Sequence, residues 1–81
     1  YMFYVYILRS LSYPEKSYVG YTINIKNRID VHNHGGSIYT AKYKPWKLIG
    51  YFAFHEDAKA IEFEKYLKSG AGKAFTNKHL L

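Results

Sequence analysis

Three polar side chains stand where the surrounding pattern calls for apolar ones. Arg28 and His32 lie four residues apart and share an i, i+3, i+4, i+7 stripe with Ile25 and Ile29, while Glu64 shares one with Ala60, Ile61 and Leu67. A guanidinium offers a planar fork of donors suited to phosphate oxygens. A carboxylate on an inward stripe is uncommon unless it is paired or bound to a cation. These types point to a cleft in which a nucleic-acid phosphate is held and cut. Each also has a plain alternative. Arg28 reads equally as a solvated helix residue, His32 as a structural hydrogen-bonder at a core edge, and Glu64 as the partner of Lys68 in an i, i+4 ion pair. A single carboxylate still suffices for a hard cation such as Mg²⁺, which takes one or two carboxylates and leaves its other positions to water and substrate phosphate.

Tyrosines add a second set of polar tips. Tyr6 and Tyr18 fall on strands expected to pair as a hairpin, where same-face side chains directly opposite approach to about 4.5–5.5 Å at Cβ. They are core aromatics with a polar tip, or paired hydroxyls facing one cleft. Two familiar arrangements are excluded. Gly70-Ala71-Gly72-Lys73-Ala74 looks like a fragment of a phosphate loop, but Leu67 replaces its first glycine and Ala74 its magnesium-binding hydroxyl. No Ser/His/Asp or Cys/His set is identifiable, and the acids are too few for a two-metal cage.

The elements that must position these residues follow from local patterns. Met2 to Leu8 is β-branched and aromatic on both alternating sets, which predicts a central strand covered on two faces. Tyr13-Pro14-Glu15-Lys16 supplies a turn, and Ser17 to Thr22 pairs back as a second strand, in which Gly20 leaves space for a neighbour. Asn24 is an N-cap and Gly35-Gly36 a stop, so a helix is expected over Ile25 to His34. Gly35 to Lys47 reads as a polar loop interleaved with Tyr39, Tyr43 and Trp46. A third strand follows over Leu48 to Phe54, with a bulge at Gly50. A helix opened by Glu56 and Asp57 runs to Ser69, Gly70 to Gly72 break it, and a short last helix carries Phe75 and Leu80 into the core. The order β-β-α-β-α-α predicts an α+β fold: a small three-stranded antiparallel sheet flanked by helices, one domain over residues 1–81.

Composition bounds the function. The chain has 81 residues and no cysteine, so packing alone must hold it together, and ten Tyr, five Phe and one Trp supply that packing. No apolar run reaches the roughly 18 residues of a membrane span, and no signal peptide is visible, so a soluble cytoplasmic protein is expected. Met2 reads as the natural start with Tyr1 an extra residue before it, although a chain trimmed from a longer one reads the same way. The net charge of +6 favours polyanionic partners, or else serves solubility alone.

Tyr4-Val5-Tyr6, eleven residues, Tyr18-Val19-Gly20, then Arg28, His32 and Glu64 together resemble a GIY-YIG nuclease domain, in particular the small stand-alone bacterial type. The likeness spans essentially the whole chain, with a Phe-Tyr-Val-Tyr-Ile-Leu opening and a Lys-Pro-Trp-Lys-Leu segment before the third strand. It implies a DNA endonuclease acting in repair or processing with one divalent metal, Mg²⁺ or Mn²⁺, and no small-molecule cofactor. It further implies Tyr6 and Tyr18 as active-site tyrosines, Arg28 as phosphate clamp, His32 as an auxiliary group, Glu64 as metal ligand and Gly20 as a structural motif residue. Asn77 lies about where some relatives carry a further Asn. This sequence departs from the pattern at Tyr4, where the motif has Gly, and at Tyr21, where larger relatives have Lys.

On that reading Tyr6 orients or deprotonates the attacking water, with Tyr18 as helper. A tyrosine of pKa about 10 does so as a base only if Arg28 or the metal lowers that value, which predicts a rate rising from neutral to alkaline pH. Lys42, Lys44, Lys47 and Lys73, with Lys78, Tyr43 and Trp46, are the candidates for backbone contact and base stacking, although Trp46 also fits the core. The rival readings are a nucleic-acid-binding module that does not cut and a protein-interaction domain.

Overall fold

The computed structural model describes residues 2–34 and 37–81. Tyr1 and the expected Gly35-Gly36 helix stop lie outside the described residues. The two-faced apolar run forms strand β1, Phe3–Ser10, which lies between β2, Ser17–Thr22, and β3, Trp46–Phe54, in an antiparallel sheet of order β2-β1-β3. Having no free edge, β1 sends alternate side chains to two cores. Val5 and Ile7 meet Ala60 and Leu67 on one face, and Tyr6 and Leu8 meet Trp46 on the other. The bulge expected at Gly50 is present: Ile7 pairs with Gly50 but Leu8 pairs with Leu48, so Ile49 is the extra residue.

Asn24 caps helix α1, Ile25–Asn33, by accepting the Asn27 N–H. Its Ile29 packs against the Tyr6, Leu8 and Trp46 cluster, and His32, one turn on, is buried. Arg28 is exposed, which corrects the expectation that it shares the buried face.

The segment read as a loop contains a short helix, α2, Ile38–Lys42. Ser37 and Thr40 close it by accepting each other's backbone N–H, with a Thr standing where Glu or Gln is usual. Trp46 opens β3 two residues earlier than expected, buried and donating its indole N–H to the Thr40 carbonyl at 2.9 Å, so it belongs to the core.

Helix α3, Asp57–Lys68, buries Ala60 and Leu67 and turns Phe63 onto Phe52 and Phe54. Ile61, expected on that face, is exposed. The Gly70 to Gly72 break is instead the first turn of helix α4, Gly70–His79, capped by the Ser69 hydroxyl. A Cβ at Gly72 would run into the backbone of Tyr66 and Leu67, so glycine lets α4 close against the end of α3. Phe75 and Leu80 pack on the Val5 and Ile7 core as expected. Among the described residues no helix is long and apolar enough to cross a membrane.

Candidate active site

Tyr6 points from the centre of the sheet into the cluster beneath α1 and is almost fully buried. Its cross-strand partner is Gly20. A Cβ at Gly20 would overlap the ring and hydroxyl of Tyr6, so the missing side chain is the space in which the tyrosine lies. Tyr18 pairs with Leu8 and is therefore diagonal to Tyr6 rather than directly opposite it. The two rings stand 6.3 Å apart.

Helix α1 closes the group. His32 Nε2 lies 2.8 Å from Tyr6 Oη, and the imidazole centroid is 4.7 Å from that of Tyr18. Burial, and second the Arg28 charge one turn earlier, hold the His32 pKa below its usual value, so the ring is neutral at pH 7. His32 Nδ1 is buried, with no hydrogen-bond partner among the described residues.

The Tyr6 pKa is pushed well above the tyrosine value. Burial is the largest cause and Tyr18 the next; Arg28 opposes them, and the Glu64 carboxylate adds to the rise. Tyr18, His32, Arg28 and Glu64, drawn from β2, α1 and α3, thus all bear on the one hydroxyl of Tyr6 on β1. Its burial keeps Tyr6 protonated across the neutral range, whereas a tyrosinate requires the opposite shift.

Glu64 is partly buried and pairs with Lys68 at 3.2 Å, so the ordinary helical ion pair is real. No group of three or more His, Cys, Asp or Glu able to hold a metal occurs among the described residues. A lone carboxylate such as that of Glu64 suits only an ion that keeps most of its shell as water and substrate oxygen, as Mg²⁺ does.

A cleft of about 610 Å³ borders this centre along the β2 edge, lined by Tyr18, Lys16, Tyr39, Lys73 and Asn77 among others. Lys73 and Asn77, one helical turn apart on α4, thus reach the same cleft as Tyr18. Lys42, Lys44 and Lys47 do not line it. Lys42 sits by the Tyr43 ring, Lys44 lends its carbonyl to Ser12, and Lys47 lies opposite Arg9 on the sheet. Lys16 and Tyr39, which do line it, were not singled out by the sequence patterns. Lys16 is hidden there as a turn residue and Tyr39 as one aromatic among many.

Residues 2–78 match the GIY-YIG catalytic domain. A UPF0213 protein of Clostridium perfringens, CPE1444, is 41% identical over 66 residues, covering 80% of this chain and 68% of that protein. A Drosophila persimilis homologue of the structure-specific endonuclease subunit SLX1 is 39% identical over 69 residues, covering 74% of this chain but 24% of its own length. The solution structure of the UPF0213 protein BH0048 from Bacillus halodurans superposes with a TM-score of 0.58 at 31% identity, over 96% of this chain and 84% of that one.

Proposed function

The chain belongs to the GIY-YIG family, and from that premise we propose that it is a divalent-metal-dependent endonuclease that hydrolyses DNA phosphodiester bonds in repair or processing. The observation that carries this reading is the Tyr6–His32 hydrogen bond, formed where the Arg28 and Glu64 charges also act.

Hydrolysis needs a water deprotonated as it attacks phosphorus and positive charge to meet the developing oxyanions. With the ring proton on His32 Nδ1, Nε2 accepts the Tyr6 hydroxyl proton while Tyr6 Oη takes one from the water. The neutral imidazole is thus the final base, and no free tyrosinate is required. Arg28, exposed beside the pair, binds the phosphate oxygens through its donor fork. Tyr18 borders both partners and orients the strand. Glu64, freed from its Lys68 partner, would hold a divalent ion, and that ion would supply positive charge to the developing oxyanions. Lys73 and Asn77 contact the backbone in the cleft, and Lys42, Lys44 and Lys47 add charge farther out.

One observation favours the rival reading of a module that binds without cutting. Tyr21, where larger relatives carry Lys, turns its hydroxyl to the Asp57 carboxylate. One assay separates the two readings: incubation of supercoiled, nicked and flapped DNA with Mg²⁺ or Mn²⁺, with chelator, and with Glu64→Ala. Cutting by the wild type that chelator and Glu64→Ala abolish is expected. Binding with no cutting under any ion selects the module.

A further inference from the structure

Leading away from Tyr18 is a row of aromatic rings that hydrolysis does not use. Tyr39 follows Tyr18 at 6.1 Å, and Tyr43 follows Tyr39 at 5.0 Å, with centroids measured in each case. Tyr39 is 39% exposed, yet its ring is fixed: it stacks on Trp46 at 5.9 Å, and its hydroxyl donates to the Ser17 carbonyl at 3.0 Å. At the far end two ammonium groups share one ring, since Lys16 Nζ and Lys42 Nζ lie 5.5 and 5.4 Å from the Tyr43 centroid. Neither lysine forms an ion pair with a carboxylate among the described residues. Glu15, the carboxylate of the cleft lining, is the chain neighbour of Lys16. Ile38, on the same short helix as Tyr39, is 91% exposed.

Two ammonium groups close to one ring offer positive charge to a phosphate, and a row of rings running from half-buried Tyr18 and Tyr43 to exposed Tyr39 offers faces to flat apolar groups. A chain that alternates phosphates with bases offers both. A duplex does not, because its base faces are stacked inside. We propose that Tyr39 and Tyr43, with Lys16 and Lys42, form a platform on which a single-stranded DNA segment stacks as it leaves Tyr18. The proposal rests on the nuclease reading for the strand's destination, but its contacts are tested without cutting.

The test measures the affinity of the whole protein, with chelator present, for an oligothymidylate of about 12 nucleotides, within the usual site size of such surfaces, and for a hairpin duplex of equal length. Tighter binding of the single strand is expected. Tyr39→Leu should weaken single-strand binding by roughly tenfold, since stacking contributes about 1–3 kcal/mol per base. Tyr39→Phe, which keeps the ring but loses the tie to Ser17, should bind as the wild type does. Replacing both Lys16 and Lys42 by Gln should lower the slope of log affinity against log salt by about 1.4, at about 0.7 per single-strand phosphate contact. This surface pair also decides the matter should Tyr39→Leu fail to fold. Equal binding by the wild type and the double Gln variant overturns the platform, as does loss with Tyr39→Phe equal to that with Tyr39→Leu. A protein that cuts DNA but shows no preference for the single strand overturns the platform alone. One that shows the platform's pattern but never cuts removes the nuclease reading and leaves the platform standing.

Discussion

Tyr6 and His32, 26 residues apart in the chain, meet in a 2.8 Å hydrogen bond inside the protein. Burial acts on the two in opposite directions, raising the pKa of the tyrosine and lowering that of the histidine, so both are neutral at pH 7. In this pair the proton leaving the water passes through Tyr6 Oη to His32, so no tyrosinate stands alone, and the imidazolium formed is balanced by the negative charge that develops on the attacked phosphate.

The rate should follow His32 rather than Tyr6. Protonation of Nε2 blocks the relay, and the His32 pKa lies below 6.5, so the cleavage rate should rise from pH 5, level off near neutrality and stay level to about pH 9. Single-turnover cleavage at fixed metal across that range checks this. A rate still climbing tenfold per pH unit above pH 8 would assign the base to a tyrosinate instead, the behaviour the chain's tyrosines alone suggest.

Stability should depend on pH in the same region. The unfolded chain binds a proton at His32 near pH 6.5, and the folded chain only at lower pH, so the unfolded state carries more protons below 6.5. The stability that His32 contributes is complete above that value and is lost as pH falls through the folded pKa. Denaturant unfolding at pH 7.5 and 5.5 should show a decrease that is smaller in His32→Asn. An equal decrease in both proteins would place the titration elsewhere.

Gly20 and Gly50 sit on the two edge strands and should respond oppositely to alanine. At Gly20 the new methyl meets the Tyr6 ring inside the core, an overpacking that typically costs about 1–3 kcal/mol. At Gly50 a Cβ meets nothing within 4 Å, so Gly50→Ala should be neutral or gain up to about 1 kcal/mol. Urea midpoints for the two variants measure the contrast. Similar midpoints would mean that the Tyr6 ring does not depend on the gap at Gly20.

Much of this fold is legible from local patterns because the signals are themselves local. The bounds of β2, the Asn24 cap, the Gly50 bulge and the two-faced β1 each rest on a few adjacent residues. Depth is not local. Periodicity places Arg28 and His32 on one stripe, but only the tyrosines arriving from β1 and β2 bury His32 and leave Arg28 outside. That reverses the order in which the two rank from sequence. Helix α2 escapes notice because five residues carry no period and its capping pair is Ser with Thr. The lysines, grouped by sequence proximity, part company because a turn, a helix and a strand aim them differently.

The central claim, that the Tyr6 hydroxyl takes part in breaking the phosphodiester bond, is tested most directly by single-turnover cleavage with Tyr6→Phe. The variant removes one buried oxygen and leaves the ring lying over Gly20. The wild type should cut DNA in the presence of Mg²⁺ or Mn²⁺, and Tyr6→Phe, folded and binding DNA equally well, should be slower by about 10²- to 10⁴-fold. Cutting by Tyr6→Phe at the wild-type rate would contradict the account.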